Sequence, residues 1–302
     1  MKITAVVVSG LILAACGQNS TTTGTGNVQV FLTPEDNITT GMDPGMEAGF
    51  IHDGWQVRYQ KFLIAFGNFE ARRSDDASAL LHDDKVYIVD LLNTPSSALV
   101  ISTFENAAAV QWDRVSYQIT NATTSSQKLA GVSDADFMLM TGNGYSTYIE
   151  GTITKTGGMS CRPTAPADCV TAETVRFRWP LRLGQSYADC GPEEGLAGFA
   201  VPSGGTVQLK PTLHGDHWFL SNFNHTTDLY AQWIADGDLD RDGTTTDAEL
   251  SQVSASDLFP SPKYNLSGFP GSFTTARDYL DTAIRTLGHF QGEGECNTRR
   301  AL

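Results

Sequence analysis

Val175-Arg176-Phe177-Arg178-Trp179-Pro180-Leu181-Arg182-Leu183 alternates without a break: the odd positions are apolar and the even ones are Arg or Pro. Successive side chains of a strand point to opposite faces, so a period of two puts one face in a core and the other in water. Pro180 has no N–H to give to a ladder, which predicts an edge position or a bulge. Working outward, strand-like runs recur over Val28–Leu32, Trp55–Phe69, Val86–Leu92, Leu99–Phe104, Trp112–Thr120, Tyr145–Thr154 and Val207–Leu220, at the spacing of a sandwich. Between Tyr59 and Phe62 the apolar phase slips, which predicts a bulge. Helical periodicity is absent until Asp228. The fold class expected is therefore mainly β: a β-sandwich body over 28–227 and, over 228–302, a C-terminal helical part with a helix-loop-helix and an amphipathic helix packed on the body.

A calcium site is read from Asp238-Leu239-Asp240-Arg241-Asp242-Gly243-Thr244-Thr245-Thr246-Asp247-Ala248-Glu249. A twelve-residue EF-hand loop offers side-chain oxygens at positions 1, 3 and 5, a backbone carbonyl at 7, a ligand often relayed by water at 9, and a bidentate Glu at 12. Those positions are Asp238, Asp240, Asp242, Thr244, Thr246 and Glu249, and Gly243 falls at position 6, where the chain bends sharply. Asp228–Ala235 places apolar groups at helical spacing before the loop, and Leu250 and Val253 share a helical face after it. Position 8 is Thr245, where such loops carry an apolar residue that pairs with a second loop, and the chain has no second loop. A structural ion is expected rather than a switch, because a sensor hand works by opening a Met-rich groove that is missing here. Further on, 260–271 reads as a Pro-, Gly- and Ser-rich connector. Phe273, Ala276, Leu280, Ala283, Ile284 and Leu287 then fall at helical spacing, with Ser272 or Thr274 to cap the start and Gly288 the end.

Lys2 precedes an apolar run from Ile3 to Ala15, too short to span a bilayer and laid out as a secretory signal. Its end, Leu13-Ala14-Ala15-Cys16, resembles the lipobox of bacterial lipoproteins. That resemblance implies a signal peptide over 1–15, acylation of Cys16, palmitate included, and anchoring in the cell envelope. With Gly17 rather than Asp next, sorting to the outer membrane is implied. Residues 16–27 hold little that could bury and are expected to be a flexible tether.

Roughly 275 residues follow the signal and tether, enough for a sizeable core. A net charge of −14 argues against a nucleic-acid partner and suits divalent cations. Besides Cys16 the chain has Cys161, Cys169, Cys190 and Cys296, an even number in an oxidising compartment, so two disulfides are expected. Three pairings are open. The short Pro-rich segment from Cys161 to Cys169 favours a pair closing that loop, and Cys190 with Cys296 would follow. A zinc site among these thiols would want a C-x-x-C spacing that the sequence lacks.

Neither a P-loop, G-x-S-x-G, H-E-x-x-H nor a dinucleotide fingerprint is present, so no catalytic residues are assigned and a non-enzymatic role is expected. His214, His217 and His225 lie within twelve residues of one another. Imidazoles hold copper or zinc. In an extended strand His214 and His217 would face opposite ways, so both reach one ion only if Gly215 or Asp216 makes a turn.

A strand-rich body, His-x-x-His, a helix, D-x-D-x-D-G and a Cys-bearing tail, over about 200–296, resemble uncharacterised lipoproteins of myxobacteria. The order is also similar to the MbnP-like periplasmic copper-binding β-sandwich proteins. That second likeness implies copper on His214 and His217, with Trp218 as a further match. Two functions are therefore expected in competition. One is an exported, membrane-anchored calcium-binding lipoprotein with a binding or structural role. The other is a copper-acquisition protein using His214 and His217, with calcium as a brace. The protein or small-molecule partner is not legible in the sequence.

Overall fold

The computed structural model describes residues 24–94, 99–222, 228–266 and 272–300. The signal segment, Cys16, His225 and residues 267–271 of the connector lie outside the described residues. In chain order the strands that carry the architecture are β1 (Thr25–Pro34), β2 (Gln56–Arg72), β3 (Leu80–Asp90), β4 (Leu99–Ala108) and β5 (Arg114–Ile119). They continue as β6 (Thr147–Thr154), β7 (Thr174–Leu181), β8 (Gln185–Ala188), β9 (Thr206–Leu209) and β10 (Pro211–Leu213). The last are β11 (Thr244–Thr246), β12 (Gly288–Phe290) and β13 (Asn297–Arg300). The helices are α1 (Asp36–Thr39), α2 (Asp134–Asn143), α3 (Gln232–Gly237), α4 (Asp247–Leu250), α5 (Ala255–Leu258) and α6 (Arg277–Ala283).

The chain is mainly β, with two principal sheets, an arrangement consistent with a sandwich. The smaller runs β9-β1-β10-β12, with β4 also on β1; the larger runs β11-β7-β6-β2-β5-β8-β13, with β3 also on β2. One apolar cluster takes Val28, Val30 and Leu32 from β1 together with Phe62, Ile64 and Phe66 from β2. In β7 the alternation is realised: Val175, Phe177, Trp179 and Leu181 are buried, while Arg176 and Arg178 are exposed. Trp179 stacks on Phe177 at 4.5 Å and on Trp233 at 5.4 Å. Burying a side chain the size of Phe contributes about 1.5 to 3 kcal/mol, so this aromatic stack is a large local share of stability.

Pro180 and the phase slip behave as their chemistry requires. The outer neighbour β11 covers β7 only at 176–178, so no ladder needs an N–H on that side at Pro180. The pairing of β2 with β6 shifts between Tyr59 and Lys61.

Several boundaries differ from the sequence reading. β1 begins at Thr25, inside the expected tether, because Thr25 and Gly26 pair with Ala108 and Ala107. The run 207–220 divides into β9, β10 and a 3₁₀ turn over Asp216–Phe219. α2 was not legible because it has no apolar stripe: only Met140 is buried. It starts on the Ser133 hydroxyl, which accepts from Asp136 N–H, and ends at Gly144 with φ 63°. With Leu63, Ala65 and Ile88 it forms a second small cluster, so β2 is buried on both faces and reads as a continuous apolar run.

The helices after residue 228 are short. α3 covers 232–237 rather than 228–235, and α6 covers 277–283 rather than a span to Leu287. At the start of α6 neither expected hydroxyl caps; the N–H groups of Thr274 and Thr275 both donate to the Asp278 carboxylate at 2.8 Å. Gly288 opens β12 instead of closing a helix, and the glycine is required by space: a Cβ there would stand 2.6 Å from Tyr187 and 2.7 Å from the Tyr117 hydroxyl. The two disulfides are Cys161–Cys169 and Cys190–Cys296. Among the described residues no helix is long and apolar enough to cross a membrane.

Candidate metal centres

The acidic loop joins α3 to α4 through β11. Its positions 7 to 9, where paired hands dock on each other, instead add a parallel strand to the edge of the larger sheet: Thr244, Thr245 and Thr246 lie opposite Arg176, Phe177 and Arg178. Arg176 N–H donates to the Gly243 carbonyl at 2.9 Å, and the buried Thr245 hydroxyl donates to the Ile234 carbonyl. Gly243 has φ 84°, as the bend at position 6 requires.

Backbone amides hold the first and last carboxylates. Asp238 accepts from Asp242 N–H at 3.1 Å and Gly243 N–H at 2.9 Å. Glu249 accepts from Leu239 N–H at 2.9 Å on one oxygen and from the amide and hydroxyl of Thr246, both at 2.8 Å, on the other. Thr246 thus starts α4 with a capping box.

Asp238, Asp240 and Glu249 each place an oxygen within 4.8 Å of the others, and Asp238 and Glu249 are buried. Asp242 is outside that trio, Thr244 lies opposite Arg176 at the sheet edge, and Thr246 caps α4. Burial, and then the charges of Glu249 and Asp242, raise the Asp238 pKa. The cation in the loop, Arg241, turns away to Asp168 at 3.0 Å.

The second centre forms where β10 meets β12, whose pairing sets His289 opposite Thr212. Gly215 has helical backbone angles and the 3₁₀ turn follows, so the condition for His214 and His217 to meet is satisfied: their rings stack at 4.6 Å. His289 approaches His214 at 4.2 Å. His214 Nδ1 lies 3.0 Å from Glu35, His217 Nδ1 2.7 Å from the Thr286 carbonyl, and His289 Nδ1 3.3 Å from the Glu293 carbonyl. Two trios have donor atoms within 4.8 Å of one another: His214, Asp216 and His217, and His214, His289 and Glu293. A cavity of about 800 Å³ is lined by these groups, and His289 and Glu293 also line a neighbouring one of about 550 Å³.

Charge sorts the imidazoles. Burial works against a charged His214, but Asp216 and Glu35 outweigh it and push the group up to about 10. Burial and the neighbouring His214 and His289 bring His217 down to about 4 against the pull of Asp216. Burial and His214 also lower His289.

His289 and Glu293 were missed in the sequence because only the pairing of β12 with β10, and the turn after it, brings them to His214, and Glu35 because only the pairing of β1 with β10 does. Trp218 is not among these groups: it is buried in the core, 5.8 Å from Trp179. No family model, curated protein or solved structure matches the chain.

Proposed function

We propose that the chain is an exported lipoprotein of the bacterial cell envelope, anchored through Cys16, with a β-sandwich body and a calcium-binding helix-loop-helix corner that serves a non-enzymatic binding or structural role. The observation that carries the reading is the trio Asp238, Asp240 and Glu249: three carboxylates within 4.8 Å, with the loop's own arginine directed elsewhere. Such a group repels itself until a cation sits in it, and hard oxygen donors select calcium or magnesium. The larger, flexible coordination of calcium suits a loop that supplies a bidentate Glu at its twelfth position.

The ion would act as a brace. The loop touches the larger sheet through β11 and, through Arg241 with Asp168, the antiparallel hairpin of Met159–Arg162 and Ala165–Thr171 that Cys161–Cys169 closes, while Arg162 donates to the Leu239 carbonyl at 3.2 Å. Elemental analysis of the protein extracted from its native membrane tests this: one calcium per chain is expected, and a calcium-free chain under millimolar external calcium would rule the reading out.

A further inference from the structure

We propose that His214, His289 and Glu293 form a second metal site, separate from the acidic loop, that holds a divalent transition-metal ion of the zinc and copper class and leaves one coordination position facing the 800 Å³ cavity. It is a different donor set from the His-x-x-His pair. His214 is 3% exposed, and its Nε2 has no hydrogen-bond partner. A buried ring nitrogen left in that state forgoes about 1 to 3 kcal/mol, so it marks a position meant for a ligand. Glu293 Oε2 stands 3.9 Å away, too far for a hydrogen bond and suited to two ligands of one ion.

The second nitrogens support the same assignment. A ligating imidazole ordinarily gives its other N–H to a carboxylate or carbonyl, which fixes the ring and its tautomer. His214 Nδ1 has Glu35, and His289 Nδ1 has the Glu293 carbonyl, so Nε2 of each is the atom left for the metal. The alternative trio is worse placed. Asp216 lies 3.8 Å from His214 Nδ1, the nitrogen Glu35 already takes, and its carboxylate accepts from the Asn37 amide at 3.0 Å. His217, stacked on His214, acts as a positioning residue.

The two imidazole nitrogens are poor donors to calcium, and with one carboxylate they suit zinc or Cu(II). The Cys190–Cys296 bond ties down the turn that carries Glu293, and Cys296 itself lines the cavity.

The test is a titration of the full chain with Zn²⁺ and, separately, Cu²⁺, in calcium-containing buffer so that the acidic loop is occupied by the competing ion. X-ray absorption then counts the imidazoles on the bound metal. One ion per chain with two imidazoles is expected. His289→Ala and Glu293→Gln should each weaken binding more than about tenfold, and Glu35→Gln about 10- to 100-fold. Glu249→Gln should leave this binding unchanged, which keeps the outcome independent of the calcium reading. The Glu293 side chain is 62% exposed, so Glu293→Gln reports on the metal without risk to folding. No binding of either ion by the folded chain at micromolar metal would overturn the proposal. So would binding that is indifferent to both His289→Ala and Glu293→Gln.

Discussion

Thr245 shows how a departure from a motif can be a structural requirement. A paired hand would carry an apolar group there, but this loop docks on β7, where Thr245 is fully buried and its hydroxyl satisfies the Ile234 carbonyl. Thr245→Val keeps the shape and removes the donor, which should cost about 1 to 3 kcal/mol. Denaturant unfolding should give a lower midpoint at an unchanged slope. At this scale the acidic loop was legible, because its spacing is local and Gly243 and Glu249 fall where the bend and the final ligand belong. The imidazole centre was legible only at His214 and His217. His289 arrives through a strand pairing, and no spacing within the sequence encodes that register.

Between elements, the side chain of Asp83 on β3 links the sheets: it accepts from the Tyr87 hydroxyl at 2.8 Å and from the Ser102 hydroxyl on β4. Burial would raise the Asp83 pKa, but the Ser102 and Tyr87 hydroxyls hold it below its usual 3.8. Its stabilising contribution is then complete above pH 3.8 and lost as pH falls through the lowered value. Tyr87 is pushed up to about 12 by burial and by Asp83, so its contribution is complete below pH 10 and lost as pH rises through 12. Thermal melts across pH should show both losses, and Asp83→Asn should flatten the acid one.

The disulfides act at the same scale. In the chain-entropy model Cys161–Cys169 contributes about 2 to 3 kcal/mol and Cys190–Cys296, 106 residues apart, about 4 to 5 kcal/mol. Non-reducing mass mapping should find no free thiol among the four, and reduction should lower the melting temperature, Cys190→Ser with Cys296→Ser more than Cys161→Ser with Cys169→Ser. The strands up to β7 were legible from alternation or apolar runs, and so was the Pro180 edge; β8, β11, β12 and β13 are too short to show either signal. α2 was hidden because its packing uses a single buried Met140.

For the whole molecule, the proposed calcium ion would brace the place where the β body, the disulfide-closed hairpin and the helical corner meet. The proposed lipid anchor is testable by itself: Cys16→Ser should move the protein from the detergent phase to the aqueous phase, and retention in detergent would rule the anchor out. The brace is modest. At about 1 mM calcium and a dissociation constant near 10⁻⁴ M, mass action stabilises the fold by about 1.4 kcal/mol, a few degrees of melting temperature. Chelation should therefore speed hydrogen exchange over 228–254, β11 included, while the rest of the two sheets stays protected. The most direct measurement is calorimetric titration of calcium into the parent chain and Glu249→Gln side by side. One site near 10⁻⁴ M in the parent and none in the variant is the result predicted; no heat at millimolar calcium, or equal binding by Glu249→Gln, would contradict it.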